Sequence, residues 1–136
     1  MLVDDKFAMD TVGTNRTGAN AKVAVVDDDP RIRRLLEDEL IDLGYATTCY
    51  SNAFDLLNEL DTNPPTILLL DLLMPQMDGI ECLRRVRSAG FEGPVIIFTA
   101  LSDNEKRREA DLEGATEYIL KPDLFERLET IISKYL

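Results

Sequence analysis

The sequence predicts a doubly wound α/β domain, in which helices cover both faces of a five-stranded parallel sheet. Three observations predict this fold. Five short apolar segments alternate along the chain with five helical segments, as strands and crossover helices do in parallel sheets. The apolar segments are continuous, which indicates strands that are buried on both faces. The 136 residues are 45% hydrophobic and 30% charged, which is typical of one folded domain.

The first strand is predicted at Val23–Val26, and a helix follows it. Asp29 is suited to the N-cap of that helix, and Pro30 is suited to its first position. Apolar residues continue at helical spacing until Gly44, which ends the helix. The segment Tyr45–Tyr50 then predicts the second strand.

The middle of the chain predicts a short helix, a strand and another helix. Apolar residues between Phe54 and Leu60 predict the short helix. The run Ile67–Leu70 predicts the third strand, again continuously apolar. Asp78 and Glu81 have the spacing of a capping box, so they predict the start of the third helix.

The last third of the chain repeats the alternation twice. Strands are predicted at Val95–Phe98 and Tyr118–Leu120. Ser102 with Glu105 forms a capping-box pattern before the fourth helix, and a similar pattern begins at Asp123 before the fifth. The fourth helix has few apolar residues, so we expect it to open more easily than its neighbours.

Composition bounds the domain organisation and the kinds of partner. Residues 1–20 are rich in Thr, Gly, Asn and Asp, so we expect a mobile tail there and the domain over residues 21–136. The net charge of -11 argues against binding to nucleic-acid phosphates or anionic membranes. No segment is long and apolar enough to span a membrane. We therefore expect a cytoplasmic protein that binds neither nucleic acid nor membrane.

The residue types also limit the chemistry. Histidine is absent from the sequence, and the spacing of Cys49 and Cys82 does not fit a metal site. Zinc binding and histidine-based catalysis are therefore excluded. We expect both thiols to be small buried side chains in a reducing cytosol.

Polar residues stand at the carboxyl ends of four predicted strands. Asp27 and Asp28 follow the first strand, Asp71 the third, Thr99 the fourth and Lys121 the fifth. In open α/β sheets, ligands bind at that edge, near the point where the strand order reverses. Alternation alone does not fix the strand order. In the flavodoxin-like order 2-1-3-4-5, the first and third strands are neighbours and the three carboxylates converge on one cleft.

Such a cleft has a specific chemical use. Clustered carboxylates repel one another, so they must take up protons, pair with cations or bind a metal. Oxygen ligands alone suit a hard cation such as Mg²⁺. Lys121 would add a positive charge and Thr99 a hydroxyl. Together, these groups are what the transfer of a phosphoryl group onto a carboxylate needs.

Four segments of the chain carry the most distinctive motifs: Val25–Asp28, Leu70–Gly79, Thr99-Ala100 and Tyr118–Pro122. Together they resemble one family, the response-regulator receiver domains of two-component signalling. They occur in the order that the family has, and the resemblance covers roughly residues 22–136. The stretch Asp-x-x-Met-Pro-x-Met-Asp-Gly is the most specific of these motifs.

The resemblance implies a role for each matching residue. Asp71 would be the phosphorylated aspartate. Asp27 and Asp28 would bind Mg²⁺ together with Asp71, and the backbone carbonyl of Leu73 would add a ligand. Lys121 would contact the phosphoryl group.

The resemblance also implies a switch between two states. Thr99 would hydrogen-bond a phosphoryl oxygen, and Tyr118 would swing inward with it. The surface formed by the fourth helix, the fifth strand and the fifth helix would then change its affinity for a partner. The peptide bond between Lys121 and Pro122 would be cis, as in the family.

Three features depart from the family pattern. Leu73 is apolar where the family is often polar, so we expect it to hinder attack by water and to prolong the phosphorylated state. Asp123 follows Pro122 directly, without the aromatic residue often found there, which leaves the placement of the last helix open. The chain ends at Leu136, so we expect a stand-alone receiver that acts through partner contact or onward phosphotransfer.

The implied phosphoryl donor is a histidine kinase or a phosphotransfer domain, and the implied output is an unidentified downstream protein. Such a domain is not an enzyme on a separate substrate, since it catalyses only its own phosphorylation and dephosphorylation. One alternative is a scaffold that binds partners without phosphate, although a scaffold has no need for the whole polar set. An aspartyl phosphatase would need a second Asp in place of Leu73, and a flavin site would need a phosphate-binding loop after the first strand.

Overall fold

The computed structural model describes residues 21–136, so the tail expected at residues 1–20 lies outside the described residues. The strands of the described range are β1 (Lys22–Val26), β2 (Ala46–Tyr50), β3 (Ile67–Asp71), β4 (Val95–Thr99) and β5 (Glu117–Leu120). Its helices are α1 (Pro30–Asp42), α2 (Ala53–Glu59), α3 (Gly79–Ser88), α4 (Asn104–Leu112) and α5 (Lys121–Tyr135). The predicted alternation of strands and helices is confirmed.

The strands form one parallel sheet in the order β2-β1-β3-β4-β5. This is the flavodoxin-like order, with the reversal of strand order between β1 and β3. Every residue of β3 and β4 is buried, as the continuous apolar runs indicated. The carboxyl ends of β1 and β3 therefore lie side by side at the point where ligands bind in this class of fold.

Two apolar layers cover the sheet, because successive residues of a strand point to opposite faces. On one face, alternate strand residues such as Val25 and Leu69 pack with Leu36 of α1 and Leu128 of α5. On the other face, the strand residues pack with α2, α3 and α4. The structure is thus doubly wound, with two helices on one face and three on the other.

The helix α4 is held by the least apolar contact of the five described helices. Its one buried residue is Ala110, and Leu112 at its end is 80% exposed. An ion pair between Arg84 and Glu113, at 3.2 Å, connects the end of α4 to α3. The weak packing predicted for this helix is confirmed, and its easier opening stays a prediction.

Asp29 and Asp78 cap α1 and α3 as predicted, each by accepting a backbone N–H. The predicted cap of α4 at Ser102 is wrong. Asp103 has extended backbone angles and its carboxylate accepts the amides of Glu105 and Lys106. A carboxylate in that position satisfies two of the free amides of the first turn, so the helix begins one residue later than Ser102 would place it.

The start of α5 differs from the expectation in two respects. The helix begins at Lys121, directly after β5, so Asp123 lies in its first turn and is not its N-cap. No cis peptide bond occurs within residues 21–136, so the bond between Lys121 and Pro122 is trans and the expected cis bond is wrong. Because no residue separates the strand from the helix, Pro122 lies in the first turn, where its fixed φ is helical and its missing N–H is not needed.

The remaining expectations concern the thiols and the membrane. Cys82 is buried as expected, whereas Cys49 is only half-buried, and both are free. Burial raises the pKa of Cys82 to about 12, so its thiol stays protonated. Over the range from residue 21 to residue 136, no helix has the length and hydropathy needed to cross a membrane.

Candidate functional site

The strand register brings the predicted site residues to one edge of the sheet. Val26 of β1 pairs with Leu70 of β3, so the residues that follow them, Asp27 and Asp71, reach the edge at the same level. Asp71 in turn pairs with Phe98, the residue before Thr99. Because Thr99 pairs with the last residue of β5, the first residue of α5 also reaches this edge.

Three carboxylates meet there, as the sequence predicted. One oxygen from each of Asp27, Asp28 and Asp71 lies within 4.8 Å of the other two. Asp27 and Asp71 are buried and Asp28 is exposed, so the cluster opens to solvent on one side. A group of acids this close requires a compensating positive charge.

Lys121 supplies part of that charge. Its Nζ lies 3.2 Å from Asp27 Oδ2 and 3.5 Å from Asp71 Oδ1. One ammonium cannot balance two buried carboxylates and a third at the rim. In the described part of the chain, neither Asp27 Oδ2 nor Asp71 Oδ1 accepts a hydrogen bond, although both atoms are buried. Two buried oxygens that accept no hydrogen bond and share one ammonium, in an all-oxygen set, fit a hard divalent cation such as Mg²⁺.

The electrostatics of the site change two pKa values. Burial, followed by the negative charge of Asp27, raises the pKa of Asp71 from 3.8 to about 7. The charge of Lys121 and the backbone of Leu73 act in the opposite direction but do not offset the burial. Burial lowers the pKa of Lys121, but the carboxylates of Asp71 and Asp27 outweigh it, so the net shift is upward. Lys121 therefore remains an ammonium at neutral pH.

Three hydrogen bonds fix Asp27. Its N–H donates to the carbonyl of Tyr50 on β2 at 3.2 Å, and its Oδ1 accepts the N–H of Asp29 at 2.9 Å. Its carbonyl oxygen accepts Nη1 of Arg33 at 2.7 Å. These bonds leave Oδ2 as the oxygen that faces Lys121 and the cleft. The Arg33 contact was not predicted, because an arginine on a helix gives no sequence signal of the side to which it turns.

Gly79 permits the close approach of α3 to the site. A Cβ atom added at Gly79 would lie 2.4 Å from the Asp71 carbonyl oxygen and 2.8 Å from the Leu72 Cα. The Gly79 N–H also donates to the Leu72 carbonyl at 2.8 Å. Gly79 thus packs the start of the helix directly on the backbone of Asp71. This glycine belongs to the Asp-x-x-Met-Pro-x-Met-Asp-Gly motif, but only the fold reveals its contact with the Asp71 backbone.

The candidate switch residues both contact the loop after β4. Thr99 is buried, and its Oγ1 accepts the N–H of Leu101 at 3.0 Å. The Tyr118 hydroxyl donates to the carbonyl of Leu101, also at 3.0 Å. Arg107 of α4 lies 5.1 Å from the centre of the Tyr118 ring. Tyr118 therefore packs in the apolar layer and also holds the loop that leads into α4.

Leu73 lies two residues after Asp71, in the loop between β3 and α3. It is 51% exposed, so an apolar residue at the surface closely follows the candidate phosphoacceptor in the chain. The role of its backbone carbonyl as a metal ligand stays a prediction. The structure therefore brings together the side chains of Asp27, Asp28, Asp71 and Lys121, with Thr99 adjacent to them in register.

Comparison with a known sequence family agrees with this geometry. The family described as the response regulator receiver domain matches residues 23–133. Over 117 residues, the chain is 39% identical to the DNA-binding transcriptional regulator NtrC of Escherichia coli (strain K12). This alignment covers 83% of this chain and 25% of NtrC. The chain thus spans about a quarter of the length of that relative.

Two solved structures are similar over almost their whole length. The chemotaxis protein CheY4 of Vibrio cholerae has a TM-score of 0.80 at 29% identity, over 85% of this chain and 98% of CheY4. The response regulator protein TrrA of Thermotoga maritima, solved in complex with Mg²⁺-BeF, has a TM-score of 0.77 at 29% identity, over 85% of this chain and 99% of TrrA. With its fold, its acidic pocket and these matches, the chain belongs to the response regulator receiver domains of two-component systems.

Proposed function

We propose that this receiver accepts a phosphoryl group on Asp71 from a histidine kinase or a phosphotransfer domain, in a reaction that requires Mg²⁺. The observation that carries the proposal is the buried Oδ1 of Asp71 within the acidic cluster. Among the described residues it accepts no hydrogen bond, and its ion-pair partner is the Lys121 ammonium at 3.5 Å. An acid with only structural duties would have its buried oxygens satisfied by hydrogen bonds. An acid that receives a phosphoryl group needs an oxygen free to react.

The proposed ligands of Mg²⁺ are the carboxylates of Asp27, Asp28 and Asp71 and the backbone carbonyl of Leu73. When bound, the ion would neutralise negative charge on the phosphoryl oxygens. The three carboxylates, within 4.8 Å of one another, carry more negative charge than Lys121 can balance. A divalent cation therefore fits this cluster better than a single proton does. The similarity to TrrA, which was solved with Mg²⁺-BeF, supports this assignment.

The side chains of this protein would divide the reaction among them. The ionised Asp71 carboxylate is the nucleophile, so a bond forms between its oxygen and phosphorus while the bond from phosphorus to the donor nitrogen breaks. Lys121 offsets the charge that builds up on the phosphoryl oxygens. Because the pKa of Asp71 is about 7, the positive charges around it also serve to keep the nucleophile ionised.

The proposed switch acts through the loop after β4. A phosphoryl group adds close to two negative charges and three strong hydrogen-bond acceptors. Thr99, whose hydroxyl now accepts the Leu101 N–H, would rotate to donate to a phosphoryl oxygen. Release of that loop would free Tyr118 and shift the weakly packed α4, which alters the surface of α4, β5 and α5 presented to a downstream protein.

We place the receiver domain of this proposal at residues 21–136. Since each of the proposed site residues lies in that range, deletion of residues 1–20 should leave Mg²⁺ binding and phosphorylation unchanged.

The alternative function is a scaffold on the same fold, which binds partners without phosphate. Partner binding that is independent of Asp71 would favour it.

Phosphorylation can be tested directly with a small phosphodonor and Mg²⁺. We expect intact-mass measurement to show one added phosphoryl group, lost in Asp71→Asn and in excess chelator. Asp123→Asn is the matched control, because it makes the same change at an exposed acid of α5. Absence of the modification in the unaltered protein, or its persistence in Asp71→Asn, would contradict the proposal.

A further inference from the structure

The peptide between Asp27 and Asp28 joins two of the proposed magnesium ligands. Its carbonyl oxygen is held by Arg33, whose Nη1 donates to it at 2.7 Å. We propose that Arg33 is a positioning residue for the metal site, which acts by fixing this peptide. The inference rests on the proposed function, since it concerns the same magnesium site, and it assigns a role to a residue outside the acidic cluster.

The side chain of Arg33 folds back over the acidic loop. Arg33 is the fourth residue of α1, and its own N–H donates to the carbonyl of Asp29 at 3.1 Å. Arg33 is six positions after Asp27, so the contact spans the turn that contains Asp28 and Asp29. The guanidinium, which is only half-buried, also lines a cleft beside the end of β2. Arg33 thus connects the first turns of α1 to the carboxyl end of β1.

A hydrogen bond from a charged donor to this carbonyl has a specific mechanical effect. The carbonyl of Asp27 and the N–H of Asp28 lie in one planar unit, so fixing the oxygen fixes the plane. That plane sets the directions in which the side chains on either side leave the backbone. Asp27 has two further bonds that hold it, to Tyr50 and Asp29.

Asp28 depends on this peptide more than Asp27 does. It is the exposed member of the cluster, and within residues 21–136 no hydrogen bond holds its carboxylate. Its position therefore follows from the backbone that precedes it. Residues that orient metal ligands typically change metal affinity by about 10- to 100-fold when they are replaced. Loss of the Arg33 bond should weaken magnesium binding without removing any ligand.

The test is a Mg²⁺ titration of the full chain by calorimetry. We expect Arg33→Gln to raise the Kd for Mg²⁺ by about tenfold. Arg34→Gln, the same change at the exposed neighbour on α1, is the matched control and should leave the Kd unchanged. Arg33→Lys keeps the positive charge but lacks the planar guanidinium group. We therefore expect it to raise the Kd for Mg²⁺ less than Arg33→Gln does.

A second readout separates positioning from a general loss of stability. Amide hydrogen exchange in chelator should be faster at Asp29, whose N–H donates to Asp27 Oδ1, in Arg33→Gln, while amides of β3 keep their protection. A merely structural arginine would instead lower protection throughout the sheet. Equal exchange at the Asp29 amide in Arg33→Gln and Arg34→Gln would contradict the proposal.

The outcomes distinguish this inference from the function on which it rests. If the unaltered protein takes up no Mg²⁺, the proposed function is overturned and the role of Arg33 with it. If the unaltered protein binds Mg²⁺ and Arg33→Gln binds it as Arg34→Gln does, only the role of Arg33 is overturned. If Arg33→Gln fails to fold, Arg33→Lys takes its place in the titration. A Kd for Mg²⁺ in Arg33→Lys equal to that in Arg34→Gln would then overturn the inference.

Discussion

Thr99 and Tyr118 hold the same residue, Leu101, by opposite ends of its backbone. The Thr99 Oγ1 accepts the Leu101 N–H and the Tyr118 hydroxyl donates to the Leu101 carbonyl, each at 3.0 Å. A movement of either side chain therefore changes the restraint on the loop that precedes α4. The two residues are coupled through this loop although they stand on different strands, β4 and β5.

Removal of the Tyr118 hydroxyl should loosen that loop. We expect Tyr118→Phe to lower the free energy of unfolding by about 1 kcal/mol, the usual contribution of one hydrogen bond. Hydrogen exchange should become faster in α4 in particular, because this helix has little apolar contact of its own. Urea unfolding and exchange measured by mass spectrometry check both effects. Tyr45→Phe, at a half-buried tyrosine before β2, is the control, and equal effects of the two changes would contradict the coupling.

The apolar side chain of Leu73 should slow hydrolysis of the phosphorylated form. It is 51% exposed two residues after Asp71, and we expect it to exclude water from the acyl phosphate. Asparagine could hold a water molecule there, and we expect Leu73→Asn to speed dephosphorylation by about tenfold, equivalent to roughly 1.4 kcal/mol of barrier. Loss of label from purified phosphoprotein measures this rate. Leu112→Asn, at an exposed leucine of α4, is the control, and an unchanged rate in Leu73→Asn would show that Leu73 is no shield.

The raised pKa of Asp71 predicts a pH-dependent stability of the metal-free protein. Its pKa in the folded state is about 7, against an ordinary value of 3.8. As the pH rises, the unfolded chain therefore loses this proton at a lower pH than the folded protein does. The free energy of unfolding should therefore fall as the pH rises from about 4 to about 7. Asp71→Asn removes this dependence, and we expect it to raise the stability at pH 8 in chelator by more than about 1 kcal/mol.

Urea unfolding at pH 5 and at pH 8, with and without Mg²⁺, measures this effect. Binding of Mg²⁺ to the folded state should restore the stability of the unaltered protein at pH 8 and have little effect on Asp71→Asn. Asp123→Asn should behave as the unaltered protein does. Identical pH profiles for Asp71→Asn and the unaltered protein would show that burial does not penalise this carboxylate.

Any side chain at position 79 should disturb the site. In Gly79→Ala, a Cβ atom would meet the Asp71 carbonyl oxygen, so we expect a loss of about 1–3 kcal/mol of stability and weaker Mg²⁺ binding. Gly44→Ala is the control. It strains a backbone φ of 96° but adds a Cβ to open space, so it should lower stability and leave the Mg²⁺ affinity unchanged. Unaltered Mg²⁺ affinity in Gly79→Ala would contradict the contact with the Asp71 backbone.

Glu117 at the start of β5 should stabilise the protein only above acidic pH. The Tyr135 hydroxyl and then Lys134 lower its pKa below 4.5. A lowered pKa means that the stabilisation is present above the ordinary value and is lost as the pH falls through the folded value. We expect Glu117→Gln to cost less than about 1 kcal/mol at pH 7 and progressively less as the pH falls below 4.5. Thermal unfolding across this pH range measures the effect, with Glu129→Gln as the control. A loss of stability in Glu117→Gln that does not change with pH would contradict the prediction.

Much of the fold follows from local patterns in the sequence. Continuous apolar runs such as Ile67–Leu70 identify the buried strands, and residues such as Asp29 and Gly44 mark helix ends, because both signals act within a few residues. The same alternation places Asp27, Asp71 and the other polar residues at strand ends. The capping-box spacing favours Ser102 over Asp103 as the cap of α4. Asp103 is the cap in the structure, because neighbouring polar residues compete for that position and the backbone angles decide between them.

The sequence by itself determined the alternation of buried strands and helices and the polar residues at the ends of four of the five strands. Only the tertiary structure decided that the reversal lies between β1 and β3, that the start of α5 at Lys121 leaves the bond to Pro122 trans, and that Arg33 turns back onto the Asp27 carbonyl. The physical reason is range. Hydrophobic periodicity and capping act between near neighbours in the chain, whereas strand order and side-chain direction depend on packing between segments that meet only in the folded protein.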